Sequence, residues 1–151
     1  MRYIPPVITA KDRSQFYHSG EKYLIPVYSM AVSCGLFGIQ DDHVENYISL
    51  DKEFIKNKLS TFIFRMQGES MSPYICEGDY LIVDRAVSAY SNRVVIVDIF
   101  DERVCKLYIQ QEGCITLRSL NTKHKDLVVT EEMNMQIFGV ATLCFRDLVL
   151  K

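Results

Sequence analysis

Three stretches of this chain hold residue types that could do chemistry together. The first is Gly68-Glu69-Ser70-Met71-Ser72-Pro73-Tyr74-Ile75, which follows an apolar run and breaks its alternation, leaving Ser70 at a strand end before a helical turn. A serine there is reachable by substrate. Backbone N–H groups at the start of a helical turn, here those of Glu69 and Ser70, lack intrahelical partners and could stabilise an oxyanion. The second is Arg103-Val104-Cys105-Lys106-Leu107-Tyr108-Ile109, where Lys106 interrupts a run that otherwise reads as a buried strand. Alternation puts Val104, Lys106 and Tyr108 on one face, with Cys105, Leu107 and Ile109 on the other. An amine among apolar neighbours loses hydration, which disfavours its charged form and lets it accept a proton from a serine hydroxyl. The third is Val32-Ser33-Cys34-Gly35, a small-residue stretch suited to a narrow cleft. Each signal alone has an ordinary explanation: a serine capping a turn, a lysine on an exposed strand face, a loop tetrapeptide.

Other arrangements fall away. Cys34, Cys76, Cys105, Cys114 and Cys144, with His18, His43 and His124, show no Cys-x-x-Cys or His-Glu-x-x-His spacing, so neither a metal nor another cofactor is expected. No serine stands in a Gly-x-Ser-x-Gly elbow, and Ser49-Leu50-Asp51-Lys52 lacks the companion motifs of penicillin-binding enzymes. Lys123-His124-Lys125 reads as a solvated turn.

The elements that must position these residues fit one domain. The chain has 151 residues, 48% hydrophobic and 24% charged, which excludes disorder and coiled coils. Its net charge of -2 supplies no global field for phosphate backbones. The odd, scattered cysteines read as free thiols in a reducing cytoplasm, and no apolar run reaches the ~20 residues of a membrane helix, so neither leader nor anchor is expected. Residues 1–40, with Pro5, Pro6, Gly20, Pro26, Gly35 and Gly38, read as an extended arm. Residues 41–151 form the second division. Val44, Tyr47, Ile48, Phe54 and Ile55 stand at loosely helical intervals, and Asp51 could cap a short helix through residue 58. From residue 61 the chain turns to short Val-, Ile-, Tyr- and Phe-rich runs at 61–67, 80–84, 93–99, 103–110, 114–118, 127–129 and 135–145. Hairpin links at Phe100-Asp101-Glu102 and Gln111-Glu112-Gly113 make their flanking strands antiparallel neighbours. The expected fold is mainly β, a compact folded-over sheet or barrel behind an extended amino-terminal arm.

Taken together, the three stretches resemble the LexA/UmuD family of self-cleaving proteins, from about Val32 to the carboxyl terminus. Gly68-Glu69-Ser70-Met71 is similar to the family's nucleophile motif. Glu77-Gly78-Asp79-Tyr80-Leu81-Ile82-Val83-Asp84 is similar to the strand that follows it, and Ile137-Phe138-Gly139-Val140-Ala141 to its closing strand. Lys106 falls at the general-base position, with Asn121 at the expected distance beyond, and Cys34-Gly35 matches the bond that members cut in themselves. The chain departs from the family's Val-Lys-Arg/Lys-Leu around the base, reading Cys105-Lys106-Leu107-Tyr108. Sliding the register to put Cys105 there would need gaps on both sides, whereas the ungapped register keeps Asp84 and Asn121 in place.

The resemblance implies the carboxyl-terminal fold of that family and a Ser70–Lys106 dyad that cleaves after Cys34. Only 34 residues precede Gly35, too few for the winged helix-turn-helix of LexA-like repressors, so UmuD-like proteins, the accessory subunits of an error-prone translesion polymerase, are the nearer likeness. This branch implies a homodimer, stimulation by a RecA filament on single-stranded DNA, a UmuC-like polymerase partner, and neither membrane attachment nor direct sequence-specific DNA binding. Two other readings stay open: a β interaction module whose dyad has lapsed, and a phage or plasmid regulator using the same cleavage.

Overall fold

The computed structural model describes residues 24–28 and 44–148. The tetrapeptide Val32-Ser33-Cys34-Gly35 lies outside the described residues. The described chain divides into two compact units between Glu53 and Phe54.

The first unit holds an antiparallel pair, β1 (Ile25–Tyr28) and β2 (Val44–Ile48), in which Ile25 faces Ile48 and Val27 faces Asn46. Helix α1 (Leu50–Phe54) follows. The helical reading of Val44, Tyr47 and Ile48 is thus corrected to a strand. Five residues rich in β-branched and aromatic side chains do not decide between the two periods, and the deciding partner lies 16 or more positions upstream, invisible to local pattern. The short helix forms but ends at Phe54 rather than at residue 58.

The second unit is one seven-stranded antiparallel sheet built from β3 (Thr61–Arg65), β4 (Tyr80–Asp84), β5 (Arg93–Ile99), β6 (Glu102–Gln111), β7 (Cys114–Arg118), β8 (Leu127–Val128) and β9 (Gln136–Phe145). Their spatial order is β3-β4-β9-β5-β6-β7-β8. All seven expected strands are present, within two residues of their expected ends. A two-residue turn joins β5 to β6, with Phe100 and Asp101 at φ 52° and 60°, and Glu112-Gly113 joins β6 to β7 at 49° and 83°. Left-handed backbone at both central positions matches the twist of the strands it links, and Gly113 adopts it without a Cβ penalty.

The sheet is buried on both sides, as a folded-over sheet must be. Ile96 packs with Met71, Ile75, Leu81, Val83 and Cys105 in one cluster. Its neighbours Val95 and Val97 point the other way, into a cluster with Ile99, Tyr108, Leu117 and Val140. Strand β9 lies between β4 and β5 and approaches β4 closely at Gly139, where a Cβ would stand 2.8 Å from Val83 Cγ1 and 3.0 Å from Asp84 O. No helix among the described residues is long and apolar enough to cross a membrane.

Candidate active site

Ser70 follows β3 by way of Gly68, whose φ of +81° turns the chain out of the strand. The expected helical turn is present as a single turn. Ser72 N–H donates to Glu69 O at 3.0 Å and Ile75 N–H to Met71 O at 3.0 Å. Met71 and Ile75, four residues apart and therefore on one side of the turn, are both buried in the core, which leaves Ser70 at the rim.

The far end of this loop is held from below. Met66 N–H donates to Asp79 O at 2.7 Å and Gly78 N–H to Met66 O at 2.9 Å, closing the loop on itself. The Asp79 carboxylate, 1% exposed, accepts Cys76 N–H at 2.8 Å and a bidentate pair from Arg146, at 2.5 and 2.7 Å. The Arg146 hydrogen bond is the main reason its carboxyl is held down at about 2.

Lys106 stands on β6 opposite Val95, on the face it shares with Val104 and Tyr108, as alternation requires. Its Nζ donates to Ser119 Oγ at 2.8 Å. Burial is the largest influence on the amine and holds its pKa below the ordinary lysine value. Cys105 points into the opposite cluster, and burial pushes its thiol up to about 12, so it is a protonated core residue. Lys106 and Cys105 thus stand on opposite faces of β6, the amine hydrogen-bonded to Ser119 and the thiol packed in the core.

Ser70 and Lys106 line the same cavity, of about 240 Å³, together with Phe64, Met66, Ile96 and Cys105. The lysine's hydrogen bond runs to Ser119, and among the described residues the Ser70 hydroxyl has no hydrogen-bond partner. Two larger clefts of about 420 Å³ adjoin Asn134, and neither contains a serine or a lysine. Glu69 is exposed, and its carbonyl is engaged by Asn121 Nδ2 at 2.9 Å, while Ser70 O accepts Asn121 N–H at 3.0 Å.

Ser119, the hydrogen-bond partner of Lys106, is the residue of this candidate site that sequence reasoning missed. It is 6% exposed and sits one residue past the end of β7. The signal was present: β6 and β7 pair Leu107 with Arg118, so the next step of the same ladder sets Lys106 against Ser119. His124, Lys123 and Lys125 are exposed, as expected of a solvated turn.

A model of the Peptidase S24-like family matches residues 26–142. The chain belongs to the Peptidase S24-like family. Among curated relatives of this S24 chain, the LexA repressor of Leptospira interrogans is 31% identical over 104 residues, covering 68% of this chain and 51% of the repressor. That of Clostridium kluyveri is 29% identical over 101 residues, 66% and 50% of the two chains. That of Ruminiclostridium cellulolyticum is 27% identical over 132 residues, 85% and 60%. The S24 chain therefore spans about half to three fifths of the repressors it matches. Those relatives bear the LexA name, so membership of the LexA/UmuD group stands, while the narrower likeness to UmuD rests on the sequence reading alone.

Proposed function

We propose that this S24 protein is a self-cleaving serine peptidase in which Ser70 is the nucleophile, Lys106 the general base and Cys34–Gly35 the bond cut. The observation that carries the reading is the meeting of Ser70 and Lys106 in one cavity, with the amine partly buried, depressed in pKa and tethered to Ser119. The neutral amine takes the Ser70 proton as Oγ attacks the Cys34 carbonyl carbon, giving a tetrahedral oxyanion near the backbone N–H groups at Ser70. Collapse breaks the C–N bond, the proton passes from Lys106 to the Gly35 amine, and water then hydrolyses the Ser70 ester with Lys106 again as base.

The rims of the cavity suit an extended substrate. Among the described residues β3 has a strand neighbour on the β4 side only, and β7 ends opposite Leu107, so residues 102–106 of β6 have a neighbour on the β5 side only. Arg65 and Met66 from one edge and Val104 from the other border the cavity. A peptide lying between them can add hydrogen bonds to unpaired backbone, and Val32, Ser33 and Cys34 are small enough to lie close.

On this proposal the biological role is that of a UmuD-like, SOS-type mutagenesis factor. A RecA filament favours the docked state of the arm, and the product from Gly35 onward dimerises and joins a UmuC-like polymerase. The repressor names of the relatives favour one alternative, a switch regulator using the same cut. Incubating the purified chain between pH 7 and 10, with and without activated RecA, and weighing the products tests the chemistry. The expected result is two fragments split after Cys34, faster at alkaline pH, and absent in Ser70→Ala and Lys106→Ala. An intact wild-type chain under every condition would refute it. Co-purification with a polymerase or with operator DNA separates the two roles.

A further inference from the structure

The segment that supplies Ser119 to the lysine also supplies Asn121, two residues on, to the serine. Asn121 holds two consecutive carbonyls of the nucleophile turn: its Nδ2 donates to Glu69 O at 2.9 Å and its backbone N–H to Ser70 O at 3.0 Å. The carboxamide is itself oriented, because its Oδ1 accepts Lys123 N–H at 3.1 Å. The loop that presents it is closed by His124 N–H on Asn121 O at 3.0 Å.

A trans peptide group points its C=O and N–H in opposite directions. Turning the Glu69 carbonyl toward Asn121 therefore turns the Ser70 N–H away from it, and among the described residues that N–H has no acceptor. Glu69 O also accepts Ser72 N–H at 3.0 Å, so the peptide plane is fixed from two sides. We infer that Asn121 is a positioning residue, its side chain aiming the Ser70 N–H as the donor for the oxyanion. This rests on the self-cleaving reading for its chemistry, but not for its geometry. A preorganised donor in a partly enclosed site costs no reorientation when charge develops, and outright loss of one such donor typically costs about 10²–10³ in rate. Loosening the peptide that carries it costs less, on the order of ten- to a hundredfold.

The test uses the full chain and two substitutions. Asn121→Asp keeps the acceptor for Lys123 N–H but replaces the donor with a carboxylate facing the Glu69 carbonyl, and Asn121→Ala removes both. Self-cleavage is followed from pH 7 to 10 at a temperature where each variant is folded, and the Ser70 amide is followed by NMR chemical shift and hydrogen exchange. The expected result is a ten- to hundredfold slower cut in both variants, with the midpoint of the pH–rate curve unmoved in Asn121→Ala, where Lys106 and Ser119 are untouched, and if anything raised in Asn121→Asp by the added negative charge. The Ser70 amide should shift and change its exchange rate while amides of β5 do not. Wild-type rates in both variants, a displaced pH midpoint in Asn121→Ala, or an unaltered Ser70 amide would overturn the inference. A wild-type chain that never cuts, with a Ser70 amide that still responds to Asn121, would instead sink the proteolytic reading and leave the positioning role standing.

Discussion

The proposed base role sets two demands on Lys106: the amine must shed its proton more readily than a free lysine, yet its nitrogen must stay fixed near Ser70. Burial lowers the pKa of the amine, and Ser119 Oγ holds its nitrogen in place. Because the folded amine titrates below the free-lysine value of about 10.4, the cleavage rate should climb with pH above neutrality and level off before that value is reached. A pH–rate profile checks this, and a rate flat from pH 7 to 10 would contradict it. Ser119→Ala should slow cleavage on the order of tenfold by freeing the nitrogen to wander, and Ser119→Thr, which keeps the hydroxyl, should retain most of the rate. Ser70 and Lys106 stood out as candidates because each interrupts an apolar pattern, and the fold sets both on one cavity. Ser119 interrupts nothing, since a serine beside a turn is ordinary, and only counting back through the hairpin from Glu112-Gly113 reveals its partner.

Single strands and turns carry the next tier of constraint. β9 can lie between β4 and β5 only because residue 139 has no side chain. Gly139→Ala would force its methyl onto Val83 Cγ1 and the Asp84 carbonyl, so a loss of about 1–3 kcal/mol is expected in denaturant unfolding. The turn bearing Ser70 is braced by Asp79, and Arg146→Gln should lower the denaturant unfolding midpoint, because it leaves a buried carboxylate with fewer donors while water reaches the vacated side. Asp84 is held in the same manner at the other end of β4 by Ser60 Oγ, Ala86 N–H and Asn57 Nδ2. Both carboxyls are depressed in the folded state, Asp79 to about 2, so their stabilisation is complete above the unfolded value near 3.9 and fades as pH falls toward 2. Unfolding midpoints measured from pH 7 to 2 should therefore hold down to about 5 and drop steeply below 4. The β runs after residue 61 were legible because Val, Ile, Tyr and Phe recur there between turn residues. β2 was not, because Val44, Tyr47 and Ile48 suit either period and the strand exists through its partner Ile25–Tyr28.

For the molecule as a whole, alternating burial along β5 fills both sides of one sheet, and the described residues of the second unit, from Phe54 onward, carry it. That much was written in the hydrophobic pattern. Which branch of the S24 family the chain serves was not, because partners are chosen by surfaces and by lengths of chain that leave no periodic mark. The four cysteines in the described residues, Cys76, Cys105, Cys114 and Cys144, are unpaired thiols, so adding a reductant should leave the melting temperature where it was. A drop on reduction, seen by calorimetry, would point to a bridge absent among the described residues. The edges of β3 and of residues 102–106 of β6, bare among the described residues, have a wider consequence. On the proposed function, a peptide to be severed there must first give up its own backbone pairing, since rims made of peptide groups grip only a partner with peptide groups to spare. A helix, or a strand already knitted into another sheet, brings none, so well-folded neighbours are exempt by conformation and only a loose tail qualifies as prey.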